Sequence, residues 1–164
     1  MKKLLYYLTT LWLLLWFQVI SNHFIGGTLF SVQWLLIAIL HFGLRRGPWT
    51  GEWVGFIWGI FVDAASMGML GIHAMLYALA GYAAGMLRRQ LDASKVWTQS
   101  IFTWIVSMVY FLVYLVIERF FSAAEGSFHW TVLTVPLMNA FLAPAVFVVL
   151  ERWADLWEMQ PVDH

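Results

Sequence analysis

Cysteine is absent from the 164 residues, and charged side chains are scarce. Without thiols there can be no disulfide, no thiolate catalysis and no cysteine-based metal site. Compartment is not decided by that absence. Asp, Glu, Lys and Arg make up 11% of the chain, against 62% hydrophobic residues. A soluble domain is typically about 25% charged and about 45–50% apolar. So few charges cannot cover a water-facing surface, and the surplus apolar side chains must face lipid. Nine Lys and Arg balance nine Asp and Glu, so no basic patch points to nucleic acid. What the chain has in quantity is tryptophan, 11 residues. Trp and Tyr collect at membrane–water interfaces, where an apolar ring with one polar edge fits best.

A helix crossing the hydrocarbon needs about 20 mostly apolar residues. Six such runs can be read. The first, Leu4 to Ile20, follows Lys2 and Lys3. No small-residue cleavage pattern follows it, and further spans do, which argues against a signal peptide. The second runs from Gly27 to Phe42 and stops at Arg45-Arg46-Gly47-Pro48. Pro48 suits the first turn of a third helix, Pro48 to Ser66, because the missing N–H costs nothing there. A glycine-bearing turn at 67–71 leads to the fourth span, Ile72 to Leu87, which ends at Arg88-Arg89. The fifth is Trp97 to Ile117 and the sixth Trp130 to Leu150, with 151–164 as a short interfacial tail. With the N-terminus in the cytoplasm, only Arg119 of the nine Lys and Arg falls outside, the positive-inside pattern. The expected fold is therefore an all-α integral membrane domain of six transmembrane helices with both ends inside.

The unusual chemistry sits in the third and fourth spans. Gly51, Gly55, Gly59 and Asp63 recur at every fourth position, so they form one stripe along a helix. Ala74, Ala78, Gly81 and Gly85 form a second stripe, beyond Gly71 of the turn. Small residues let neighbouring backbones approach closely, which drives association in lipid. The two stripes face each other in a tight antiparallel hairpin, or face a partner helix. Asp63 is the only acidic residue well inside a span, where a carboxylate costs at least ~2.5 kcal/mol near the bilayer centre and less toward an interface. It lies close to the 67–71 turn, and the simplest expectation is that it accepts hydrogen bonds from N–H groups there. The sharper alternative is an ion or proton site, or a polar contact with a partner. His73 is a candidate second titratable group, with a helix-start position near the headgroups as the plainer reading.

Other polar features suggest structure more than chemistry. His23, His41 and His129 lie near span ends without a ligand spacing, which points to interfacial packing rather than metal binding. Gln33 and Asn139 lie inside spans and can hydrogen-bond across helices. Pro136 and Pro144 flank Asn139 and should bend the sixth helix. Glu118 and Arg119 read as the solvated end of the fifth span. Trp153, Leu156 and Trp157 share one face of the tail, which should lie on the inner membrane surface. With no nucleophile–base pair, phosphate-cradling loop or paired carboxylates, the chain is expected not to be an enzyme.

The segment Gly55 to Asp63, then Leu70-Gly71-Ile72-His73-Ala74-Met75, then Leu79-Ala80-Gly81-Tyr82, Gly85 and Arg88-Arg89, resembles the rod shape-determining protein MreD family of bacteria. The family shows the same order of glycines, single aspartate, leucine-glycine turn and glycine-tyrosine helix ending in basic residues. The motif spans about a quarter of the chain; the other helices agree in hydropathy and topology. The resemblance implies a non-catalytic component of the cell-elongation machinery in the bacterial inner membrane, supporting lateral peptidoglycan synthesis without a cofactor. It implies association with MreC, through it with MreB, and with RodA and its partner penicillin-binding protein. It also implies a fold similar to the substrate-binding subunits of energy-coupling-factor vitamin transporters. That likeness and the proline-bent sixth helix motivate the alternative, a small-molecule-binding or transport subunit.

Overall fold

The computed structural model describes residues 2–25, 32–65, 70–92, 94–121 and 131–157. Six helices run through them: α1 (Lys2–Ile25), α2 (Trp34–Arg46), α3 (Pro48–Ala65), α4 (Ile72–Leu87), α5 (Val96–Phe121) and α6 (Thr131–Leu156). No strand occurs among the described residues. The boundary of α4 coincides with the fourth expected span, and α3 begins at Pro48 as the missing N–H suggested. Glu118 and Arg119 lie within α5, which continues to Phe121.

Among the described residues, three helical segments are long and apolar enough to cross a membrane: Lys2–Ser21, Val96–Phe121 and Val132–Leu156. The remaining helices are shorter. α2 has 13 residues, about 20 Å at ~1.5 Å per residue. The second expected span is thus displaced. Its first part lies outside the described residues, and the helix runs from Trp34 through Arg45 and Arg46. A single residue, Gly47, then turns the chain into α3 with φ +93°. This is the left-handed region that glycine enters without a Cβ penalty.

α2 is the axis of the bundle. Every residue from Leu35 to Leu44 is buried, and Leu36, Ile37, Ala38, Ile39, Leu40 and Phe42 are 0% exposed. No side chain in that stretch is left for lipid, because α1, α3, α4, α5 and α6 pack around it. His41 belongs to this core. It is buried, with its ring 4.9 Å from that of Phe147 and 5.6 Å from that of Phe42. The expectation of an interfacial His41 is therefore corrected: the central helix carries it inward. His129 lies outside the described residues, as does the side chain of His23.

A helix that starts inside an apolar bundle leaves its first N–H groups without helical partners. Two amide side chains meet them here. Gln18 of α1 accepts from the Trp34 N–H and donates to the Val32 carbonyl, both at 2.9 Å. Asn139 of α6, fully buried, accepts from the Gln33 N–H at 2.9 Å and donates to the Ser107 hydroxyl of α5 at 3.1 Å. Asn139 thus joins α2, α5 and α6, as its place inside a span suggested. Gln33 takes part through its backbone, one residue before α2, rather than from within a span.

The C-terminal part of the chain departs from expectation. α6 passes through Pro136 and Pro144 and continues beyond Leu150 to Leu156. Ala154 is buried, the Trp153 Nε1–H donates to the Thr10 hydroxyl at 3.1 Å, and the Trp157 ring packs 6.4 Å from Tyr6. These two tryptophans clasp α1, and Leu156 alone of the three is strongly exposed. At the same end, Arg45 of α2 pairs with Glu151 of α6. The Arg46 guanidinium sits over the rings of Tyr6 and Tyr7 at 5.2 and 5.6 Å.

Candidate functional site: the α3–α4 hairpin

α3 and α4 make the most intimate helix pair of the molecule, and the reason is the absence of side chains. A Cβ built on Gly51 would collide with the Gly81 carbonyl, and one on Gly81 with the Gly51 carbonyl. At Gly55 it would strike the backbone of Tyr77 and Ala78, at Gly59 that of His73 and Ala74, and at Gly85 that of Gly47 and Pro48. The two stripes read from the sequence therefore face one another within the chain, backbone against backbone. Such closeness maximises dispersion, the main attraction between helices when both faces are apolar.

Gly43 extends the same contact to α2. Its Cβ would lie 2.5 Å from the Gly81 carbonyl and 2.8 Å from the Ala84 Cβ. Sequence reasoning did not single out this residue. A signal was present: Gly43, Gly47, Gly51, Gly55 and Gly59 continue the four-residue period across the α2–α3 boundary. The charged Arg45-Arg46 pair broke the reading of α2 before that period could be seen.

Asp63, 1% exposed, closes the hairpin at its other end. Its Oδ2 accepts from the N–H groups of Gly71 and Ala74, each at 3.0 Å. Its Oδ1 accepts from the His73 N–H at 3.1 Å and stands 2.8 Å from His73 Nδ1. α4 begins at Ile72, after Gly71 in the left-handed conformation at φ +97°, and Gly71 has no side chain to cap it. Asp63 does from α3 what an N-cap residue does locally: it satisfies the first N–H groups of α4 and places negative charge at the positive end of the helix dipole. Of these donors Gly71 belongs to the expected turn, and His73 and Ala74 to the first turn of α4. Residues 66–69 of that turn lie outside the described residues.

His73 is more than a helix-start residue. A carboxylate only accepts, so the short contact places the ring proton on Nδ1. The ring also packs against three tyrosines, with centroids 6.0 Å from Tyr77, 6.4 Å from Tyr110 and 5.4 Å from Tyr114. Tyr110 stacks on both Tyr77 and Tyr114. Through this group the hairpin is joined to α5. The sequence did not reveal the group because its members are split between α4 and α5, whose facing is set only by packing.

Chemically the arrangement is a clamp. Four donors already occupy the two oxygens of Asp63, which leaves a cation little to coordinate. No group of three or more His, Asp or Glu side chains placed to hold a metal gathers among the described residues. On the connection from α4 to α5, Asp92 accepts from the Ser94 hydroxyl and N–H at 2.5 and 3.1 Å, and these bonds hold its carboxyl below the usual range.

No curated protein and no solved structure matches the chain. The family model described as rod shape-determining protein MreD matches residues 1–153, which takes in the hairpin and all of the described helices except the end of α6. The glycine stripes, the buried aspartate and this match agree: the chain belongs to the MreD family of rod shape-determining proteins.

Proposed function

We propose that the chain serves rod-shape determination as a non-catalytic, multi-pass scaffold of the bacterial inner membrane, within the complex that elongates the cell and supports lateral peptidoglycan synthesis. One observation carries the scaffold reading beyond family membership. The small-residue stripes are engaged inside the chain, whereas α1 and α5 keep broad apolar faces outward. α1 presents Trp12, Trp16 and Phe17; α5 presents Trp104, Val109 and Leu112. Such faces meet lipid or the helices of other proteins. The proposed partners are MreC, through it the MreB cytoskeleton, and RodA with its penicillin-binding protein.

The proposed topology has six passes with both ends in the cytoplasm. It is supported by the gathering of cations at one end of the bundle. Arg45 meets Glu151, Arg46 lies over Tyr6 and Tyr7, and Arg88 lies beside Gly47. The alternative, a small-molecule-binding or transport subunit like those of the energy-coupling-factor transporters, needs room in the interior. We place it second because Leu36, Ile39, Phe42, Trp58 and Phe147 fill the space around α2.

The test is purification from membranes in mild detergent, with co-purifying chains identified. Wild type should bring down elongation-complex proteins, and Trp104→Ala/Leu112→Ala on α5 should bring down less at equal yield of folded chain. Recovery of the chain alone, with a small molecule bound, would favour the alternative.

A further inference from the structure

We infer that the groove between α1 and α3 is a binding site for one anionic phospholipid, with its headgroup at Lys3 and Arg46 and an acyl chain lying along the groove. The inference rests on the membrane reading above but not on any protein partner.

The groove encloses about 460 Å³. Leu8 and Leu11 of α1 form one wall, Val54 and Ile57 of α3 the other, and Trp58 also lines it. It exists because α1 packs on α2 rather than on α3, so no described residue fills the gap. The mouth is different in character. Lys3 and Arg46 are both there, with Trp49, Thr50 and Trp53. Among the described residues no carboxylate lines the groove. A neighbouring hollow beside Leu15 and Phe61 holds no charged side chain, so positive charge marks one end only.

An anionic phospholipid has the same polarity: a charged head and an apolar tail. From Lys3 to Leu11 the groove runs about 12 Å at ~1.5 Å per residue, close to the ~15 Å depth of one leaflet. A transmembrane helix would ask for an apolar track through the full bilayer. Trp49 and Trp53, 72% and 61% exposed, stand where indole rings are favoured, at headgroup level. The Arg46 guanidinium is held in place by the rings beneath it and by the Tyr7 hydroxyl, 3.3 Å from its Nη1. A planar guanidinium suits phosphate oxygens. The first-turn N–H groups of α3, on Trp49 and Thr50, point out of the same end and favour an anion. Basic pockets between membrane helices take anionic headgroups for these reasons.

Native mass spectrometry of the whole chain, released from micelles containing equal phosphatidylglycerol and phosphatidylethanolamine, tests the inference. Wild type should retain one phosphatidylglycerol in preference to phosphatidylethanolamine. Lys3→Gln, a change at an exposed side chain, should lower that preference by about fivefold, the weight of one cation near an anionic surface. Leu8→Trp keeps both cations but fills the groove, and should abolish retention. Lys95→Gln, at a cation already beside Asp92, should change nothing. Equal retention of the two lipids by wild type would overturn the inference, as would unchanged retention in both Lys3→Gln and Leu8→Trp. So would a protein chain found in the groove instead of a lipid.

Discussion

Replacing Asp63 with alanine removes the acceptor for four donors at the start of α4. The effect can be worked from what each donor finds afterwards. Gly71 is exposed and His73 partly so, and their N–H groups can turn to water or headgroups. The loss there is that of a helix cap, about 1–2 kcal/mol. Ala74 is 2% exposed, and its N–H is left buried without an acceptor, which adds about 1–3 kcal/mol. The sum is about 3 kcal/mol. For a chain of this size ~1 kcal/mol lowers the melting temperature by about 2–4 °C, so Asp63→Ala should melt about 6–12 °C below wild type. Asp63→Asn keeps one carbonyl oxygen for Gly71 and Ala74 but turns an NH2 toward His73, and should fall near halfway. Intrinsic tryptophan fluorescence during heating in detergent measures both. An Asp63→Ala melt within about 2 °C of wild type would refute the clamp, as would an Asp63→Asn variant as damaged as the alanine.

Two further outcomes follow from the packing. Gly55→Leu should greatly reduce the yield of folded chain, because its side chain would have to displace the Tyr77 backbone; overpacking alone costs about 1–3 kcal/mol or more. Size-exclusion yield after membrane extraction reports this, and a wild-type yield would contradict the backbone contact. Asn139→Ala should lower the melting temperature by several degrees, since the Gln33 N–H and the Ser107 hydroxyl lose a partner at about 1–2 kcal/mol; an unchanged melt would mean that the α2 start is satisfied otherwise.

The backbone contact at Gly55 shows where the sequence reading stopped. Stripes of small residues identify helices that approach closely, yet the same stripe serves a neighbour in the chain or another protein equally well. The geometry at Gly51, Gly55 and Gly59 assigns it to α4, so partner faces are to be sought elsewhere on the bundle. The histidines differ in the same way. His41 and His73 are both single imidazoles in apolar runs. One is packed in the core beside Phe147, the other bonded to Asp63, and hydropathy alone does not tell which is which.

By itself the sequence determined that lipid solvates this chain, where α3 and α4 begin, that their small residues form stripes, and that Asp63 meets the turn. These follow from composition and from spacings of a few residues, where helix geometry alone relates side chains. Only the tertiary structure decided that α2 is central, that Trp153 and Trp157 clasp α1, and that His73 joins Asp63 to three tyrosines. In water, an apolar stripe tells which face of a helix turns inward. In lipid every face is apolar, so hydropathy no longer distinguishes a core helix from a peripheral one. Some of the contacts that do distinguish them join residues more than a hundred positions apart, as Trp153 and Thr10 are.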